Sequence, residues 1–207
     1  MAEPDDASLL EAWRGGDRAA GEALFERYFD AIYRFFERKG LPDVADLVQR
    51  TFLGCVEAKD RFRGASSFRT FLFAIARHEL YGYFRGRHAR AALDFGVSSL
   101  ADLAPGPSTA ARDRSEREAL LAALRVIPVE LQVALELRFW EGLSGPELAE
   151  VLELPEGTVR SRLRRALEAL RVALAADGGG AGLLAVMPED PEVALDAWAA
   201  SLRPRLG

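Results

Sequence analysis

An all-α fold is predicted for this 207-residue chain: two small helical domains joined by a flexible linker, the second containing a helix-turn-helix. Three observations carry that expectation. Apolar residues recur at helical spacing along most of the sequence, whereas period-2 alternation of β-branched residues persists nowhere. The run Ala104-Pro105-Gly106-Pro107-Ser108-Thr109 cannot hold a helix and splits the pattern in two. Beyond it, two helical stretches are separated only by Glu153-Leu154-Pro155, the short connection of a helix-turn-helix. The expected boundaries are residues 1–90 for the first domain, 91–115 for the linker, 116–176 for the second domain and 177–207 for a C-terminal tail.

The elements follow in order. Residues 7–14 form a short helix with Leu9, Leu10 and Trp13 on one face. Residues 18–39 carry Leu24, Phe25, Tyr28, Ile32, Phe35 and Phe36 at helical spacing, and Gly40-Leu41-Pro42 ends the helix. Asp43 is placed to cap the next helix, which runs to about Lys59 with Leu47, Val48, Phe52 and Val56 inward. Arg61–Ser67 is a loop, and Ser67 caps a long helix from Phe68 to about Arg90. After the linker come a helix over Arg114–Val126 and a second that Pro128 starts and that reaches about Trp140. Ser144 and Glu147 have capping-box spacing ahead of Leu148, Val151 and Leu152. The last long helix covers about Thr158–Ala175. Past Gly178-Gly179-Gly180, Leu183, Leu184, Val186 and Met187 are placed to dock on the body or on a partner, and one weak helix is expected around Glu192–Leu202. The tail reads as regulatory or as a disordered end.

Composition narrows the function. With 49% hydrophobic and 29% charged residues the chain is an ordinary folded protein. The one cysteine, Cys55, excludes an internal disulfide, cannot build a zinc site alone, and reads as a buried inert thiol. Histidine is limited to His78 and His88, and there is no phosphate-binding glycine motif, so no enzyme, cofactor or metal is expected. The N-terminus is acidic, unlike a secretory signal, and no apolar run approaches the ~20 residues of a membrane span. A cytoplasmic protein without membrane insertion is the expectation.

The net charge of −5 hides an alternation. Residues 61–90 hold seven arginines against the single acid Glu79, and residues 158–176 hold five arginines against Glu168, inside an otherwise acidic chain. In the second segment Val159, Leu163, Ala166, Leu167, Leu170 and Leu174 form an inward stripe. Thr158 opens the helix; Arg160, Ser161 and Arg164 lie on the other side, with Arg162 and Arg165 flanking. The second helix of a helix-turn-helix enters the major groove, where arginines read guanine edges or neutralise phosphates. A solvated basic face is the plain alternative; the cap, the tight turn and the arginine excess favour DNA.

These residues carry a resemblance. Glu141-Gly142-Leu143-Ser144, Glu147–Leu152 and Pro155-Glu156-Gly157-Thr158-Val159-Arg160-Ser161-Arg162-Leu163-Arg164-Arg165-Ala166 resemble region 4 of bacterial RNA polymerase sigma factors, with Ala123–Pro128 and Leu135–Arg138 resembling its start. Asp43–Leu53 resembles the region 2.2 helix, and Arg61-Phe62-Arg63-Gly64 followed by Phe68–His78 resembles regions 2.3 and 2.4. The two regions stand in family order with only a linker between them, as in the extracytoplasmic-function (ECF) class. The resemblance implies a promoter-specificity subunit, not an enzyme. Region 4 would grip the duplex minus-thirty-five element and the β flap of core RNA polymerase, and region 2 would dock on the β′ clamp and hold the single-stranded minus-ten element. An anti-sigma factor or another regulator is the further partner implied. Asp46, Gln49 and Arg50 share the face that corresponds to clamp docking.

Residues 61–90 interleave basic and aromatic side chains, the chemistry that holds single-stranded nucleic acid. Phe68, Phe71, Leu72 and Ile75 keep core spacing, which leaves Arg61, Arg63, Arg69, Arg77, Arg85 and Arg87 as the DNA candidates. Two positions depart from the family pattern. Phe71-Leu72 stands where Trp-Leu is usual, and His78 stands where Asn is frequent, near the pocket for a flipped minus-ten base. The competing reading is a stand-alone dimeric helix-turn-helix regulator, which would bind symmetric half-sites without the polymerase.

Overall fold

Capping chemistry sets where the first helices begin. The computed structural model describes residues 4–62, 64, 66–88, 93–103, 116–177 and 181–187; among them all regular structure is helical, with one isolated bridge pairing Ser99 and Pro128. The chain divides into two compact units, Met1–Ala89 with Glu150–Glu153, and Arg90–Ala149 with Leu154–Gly207.

In the first unit, helices α1 (Asp6–Arg14), α2 (Arg18–Glu37) and α4 (Phe68–Arg87) each start behind an oxygen that accepts backbone N–H groups. Asp5 takes the Ser8 N–H at 2.8 Å, Asp17 those of Ala19 and Ala20 at 2.9 and 3.3 Å, and Ser67 that of Thr70 at 3.1 Å. Helix α3 (Val44–Ala58) departs from expectation, because Asp43 makes no capping bond. Its carboxylate is drawn instead to α4, where it accepts from the Tyr83 hydroxyl at 3.1 Å and from Arg87 Nη1 at 3.3 Å.

Leu24, Ile32, Phe35 and Phe36 from α2, Leu47 and Val48 from α3, and Leu72, Phe73, Leu80 and Phe84 from α4 fill the core. Phe35 meets Phe36 and Phe73 edge to face, at 5.2 and 5.9 Å between ring centres. Trp13 lies across α2 at Gly21, where a Cβ would stand 2.6 Å from the indole nitrogen; any side chain there would lift α1 away. Val56, expected inward, is 41% exposed. It sits on the edge of the buried arc that Val48, Phe52 and Cys55 occupy, turned toward the solvent side.

In the second unit, α6 (Glu116–Val126) and α7 (Val129–Phe139) pack against α9 (Glu156–Asp177); α8 (Gly145–Leu152), which precedes α9 in the chain, begins in this unit and ends among the residues grouped with the first. The buried stripe of α9 is Val159, Leu163, Ala166, Leu167, Leu170 and Leu174, as its spacing predicts.

Part of the expected linker is folded. Within 91–115, the described residues 93–103 form a turn and a short helix, α5 (Leu100–Leu103), that lies on α6 with Phe95, Leu100 and Leu103 buried. Ser99 and Asp102 make a capping box of their own, with Ser99 N–H and Oγ–H donating to Asp102 Oδ2 at 2.9 and 2.7 Å. The cause lies in α7. Its first N–H groups need acceptors, and Pro128 before them offers no capping side chain. The carbonyls of Ser98 and Phe95 supply them, taking Val129 N–H at 3.0 Å and Glu130 N–H at 3.1 Å.

The tail begins with α10 (Ala181–Val186), which packs on α9 and α6 and buries Leu183 and Met187. The expected weak helix around Glu192–Leu202 lies outside the described residues.

Candidate nucleic-acid interface

The helix-turn-helix is built from two local devices. Ser144 and Glu147 close the capping box predicted for α8: Ser144 N–H and Oγ–H donate to Glu147 Oε2 at 2.8 and 2.7 Å. At the other end Leu154 N–H reaches the Ala149 carbonyl at 2.9 Å and Glu153 N–H the Glu150 carbonyl at 3.1 Å. That pair is a Schellman closure, and it puts Glu153 in the left-handed region at φ 57°. A non-glycine residue there costs about 1 kcal/mol, so the turn is held by its neighbours rather than by local preference. Pro155 then leads directly into α9, where Val159 N–H bonds to its carbonyl at 3.1 Å.

On α9, Thr158, Arg160, Ser161, Arg164 and Arg165 are exposed. Ser161 Oγ–H bonds back to the Thr158 carbonyl at 2.9 Å, and Arg171 pairs with Glu168 at 2.8 Å. Arg162 differs from the other candidates. It is half-buried and its Nη2 sits 2.7 Å from Glu130 Oε2 on α7, so it fastens α9 to its scaffold instead of facing outward. The outward face therefore presents Arg160, Arg164 and Arg165, flanked by two hydroxyls, over more than a turn of helix.

The first unit is less uniform. Arg61 and Arg85 are exposed, as is His78. Arg69 is half-buried with its guanidinium 5.8 Å from the Phe73 ring centre, and Arg77 is half-buried 5.0 Å over Tyr81. Arg87 is exposed but held between Asp43 and the Tyr83 ring, 5.3 Å away. Burial, and then the hydrogen bond it donates to Asp43, push the Tyr83 phenol above its ordinary pKa. Arg63 lies outside the described residues. Of the aromatic residues, Phe68, Phe73, Tyr81 and Phe84 are buried; Phe71 is half-buried and stacks on Phe62 at 4.5 Å. Ile75 is likewise half-buried, on the edge of the core.

Sequence reading missed Arg14. From α1 it donates through Nε and Nη2 to the Lys59 carbonyl, at 3.0 and 2.7 Å, and through Nη2 to the Phe62 carbonyl, with its guanidinium 6.0 Å from the Phe62 ring centre. One cation thus fixes the loop that carries Arg61. Beside it is a cavity of about 690 Å³, lined in part by Arg14, Arg27, Tyr28, Phe62, Ser66 and Phe68. Tyr28 donates to Asp6, whose other oxygen lies 2.5 Å from Arg27 Nη1. No sequence pattern links these residues; only the spacing of an arginine on the polar side of α1 hints at a role.

Asp46, Gln49 and Arg50 are exposed together on α3, with Arg50 Nε 2.8 Å from Asp46 Oδ2. Leu53, 52% exposed, follows on the same face at the next turn, so the face combines charge with an apolar centre. Among the described residues no group of histidine, cysteine and carboxylate side chains is placed to hold a metal ion, and no helix is long and apolar enough to cross a membrane.

Known proteins share both halves of this arrangement. The sigma-70 region 2 family matches residues 24–90, and the sigma-70 region 4 family matches residues 117–170. The ECF RNA polymerase sigma-E factor of Salmonella typhimurium (strain LT2) is 32% identical over 176 residues, which cover 80% of this chain and 92% of that protein. Among solved structures, CnrH in complex with the cytosolic domain of CnrY is similar at TM-score 0.61 and 26% identity, covering 83% of this chain and 98% of that one. The sigma factor RpoE in complex with the anti-sigma factor NepR, from Bartonella quintana, has the same fold at TM-score 0.58 and 22% identity, covering 75% and 97%. A stand-alone dimeric regulator is not favoured, since it would leave the region 2 match without a purpose. The chain belongs to the ECF sigma factors, the promoter-specificity subunits of bacterial RNA polymerase.

Proposed function

We propose a division of labour within this sigma factor. Arg160, Arg164 and Arg165, with Thr158 and Ser161, contact the duplex minus-thirty-five element. The loop around Arg61, together with Arg69, Arg77, His78, Arg85 and Arg87, holds the melted minus-ten strand. Residues 1–90 and 116–176 are the two working domains. The observation that carries this is the outward row of arginines on α9, fixed behind a capped α8 and a closed turn. Arginines so placed contact phosphates and guanine edges.

Melting requires a base to leave the stack, which costs a few kcal/mol and needs a receptacle. The cavity lined by Arg14, Arg27, Tyr28, Phe62 and Phe68, with the carboxylates of Asp5, Asp6 and Glu11 also on its wall, has the size and the aromatic faces for one base. The α3 face of Asp46, Gln49, Arg50 and Leu53 is the docking surface for the polymerase β′ clamp, and the second unit meets the β flap. An anti-sigma factor is a further partner of this chain, in keeping with the NepR complex of the Bartonella protein. The protein works in the cytoplasm, requires no cofactor and has no catalytic activity of its own.

Purified core polymerase provides the test. Addition of the protein should produce specific run-off transcripts, and the free protein should bind promoter duplex only weakly because its net charge is −5. Failure to bind core polymerase would sink the proposal. Tight, specific duplex binding by the free protein would favour a stand-alone regulator.

A further inference from the structure

The second unit carries an apolar groove that its described residues leave open. It has a volume of about 560 Å³ and is lined by Val126, Ile127, Pro128 and Leu131 on one side and Val172 and Ala176 of α9 on the other, with the charged Arg165 and Glu168 of α9 also on its wall. Val126 and Val172 are 55% and 61% exposed, the two most exposed large apolar side chains after Val97 among the described residues of this unit. Exposed apolar side chains gathered in one groove offer a surface for a small apolar helix face.

We propose that the groove is an intramolecular docking site for the C-terminal segment of the same chain, residues 192–202. Three features point to that occupant. First, Leu195, Trp198, Ala199 and Leu202 fall at i, i+3, i+4 and i+7, so one face of a helix over this segment is apolar, with Glu192 at its edge and Asp196 and Ser201 off it. Trp198 alone brings roughly 200 Å² of buriable surface. Second, the segment is within reach. Helix α10 ends on α9 and α6, with Gly182 against Glu116 at the start of α6. Val126, in the groove, closes the other end of α6, about 16 Å away for an eleven-residue helix. The seven residues 188–194 span up to roughly 23 Å, enough to cover that distance. Third, α10 already anchors the tail through Leu183 and Met187, so the segment is presented at an effective concentration in the millimolar range. Modest affinity then suffices for occupancy.

Cysteine cross-linking of the full chain tests it. Cys55 is buried, so a Val172→Cys, Ala199→Cys pair provides the reactive thiols. Mild oxidation should yield an intramolecular disulfide in the monomer. Adding Leu195→Asp and Leu202→Asp, which keep the tether but remove the apolar stripe, should slow its formation several-fold. Equal rates with and without the aspartates would overturn the proposal, because collision along a tether would explain them. Disulfides formed only between chains would also overturn it and make the groove an interface between copies. Truncation after Met187 gives an independent readout: amide exchange over 126–131 and 168–176 should rise several-fold, and unchanged exchange counts against the tail as occupant.

Discussion

The two basic regions solve different problems with the same residue type. On α9 the candidate arginines stand on a regular helix whose opposite face is the core, so packing and the proposed DNA contact are divided by angle around one axis. In the first unit packing and the proposed binding share side chains. Arg69 and Arg77 rest on buried aromatic rings, and Arg87 is held by Asp43. On the proposed division of labour, a rigid duplex meets a repeating surface, and a strand that must be unstacked meets an irregular one, in which a loop and its clamp matter as much as the charges.

The comparison can be broken by mutation. The largest effect is expected from Arg160→Ala/Arg164→Ala/Arg165→Ala. With each good base contact worth about 1–3 kcal/mol, promoter-directed run-off should fall on the order of 100-fold or more, while binding to core polymerase stays intact. Arg14→Ala comes next. It removes charge-assisted bonds to the Lys59 and Phe62 carbonyls, and urea unfolding should show a loss of about 2 kcal/mol, with faster amide exchange in the loop.

Arg162→Ala sharpens the contrast from within α9. Losing a half-buried pair with Glu130 should cost about 1 kcal/mol, a drop in Tm of roughly 2–4 °C. Selectivity for promoter sequence should not change, and a swap to Arg162→Glu with Glu130→Arg should recover stability. The smallest effect is at Cys55. Burial pushes its thiol up to about 12, so the nucleophilic thiolate is scarce at pH 8 and the native protein should resist thiol reagents until it is unfolded.

Much of this was legible in the sequence where a local pattern carried it. The stripe of α9, the Ser144–Glu147 box and the Ser67 cap depend on residues a few positions apart, and each is found as its spacing predicts. What was not legible depends on partners far along the chain. Asp43 is a good capping residue by type, yet Tyr83 and Arg87 compete for its carboxylate and win. Arg162 has the same local surroundings as its neighbours, and only the position of Glu130 turns it inward. Residues 93–103 carry Leu93, Phe95, Val97, Leu100 and Leu103, but the Pro- and Gly-rich run directly after them hides that pattern; α7 follows Pro128 and needs their carbonyls, and Phe95, Leu100 and Leu103 seat them. Arg14 carries no motif at all.

The division of labour is tested most directly on templates with and without a pre-melted minus-ten bubble, at a promoter identified by sequencing transcript starts after overexpression. Run-off transcription with core polymerase is measured for Arg61→Ala/Arg85→Ala and for the triple alanine variant of α9. The account predicts that the bubble restores the first and leaves the second impaired, because only the first is deficient in capturing an opened strand. Rescue of the α9 variant by the bubble, or failure to rescue the Arg61/Arg85 variant, would contradict it.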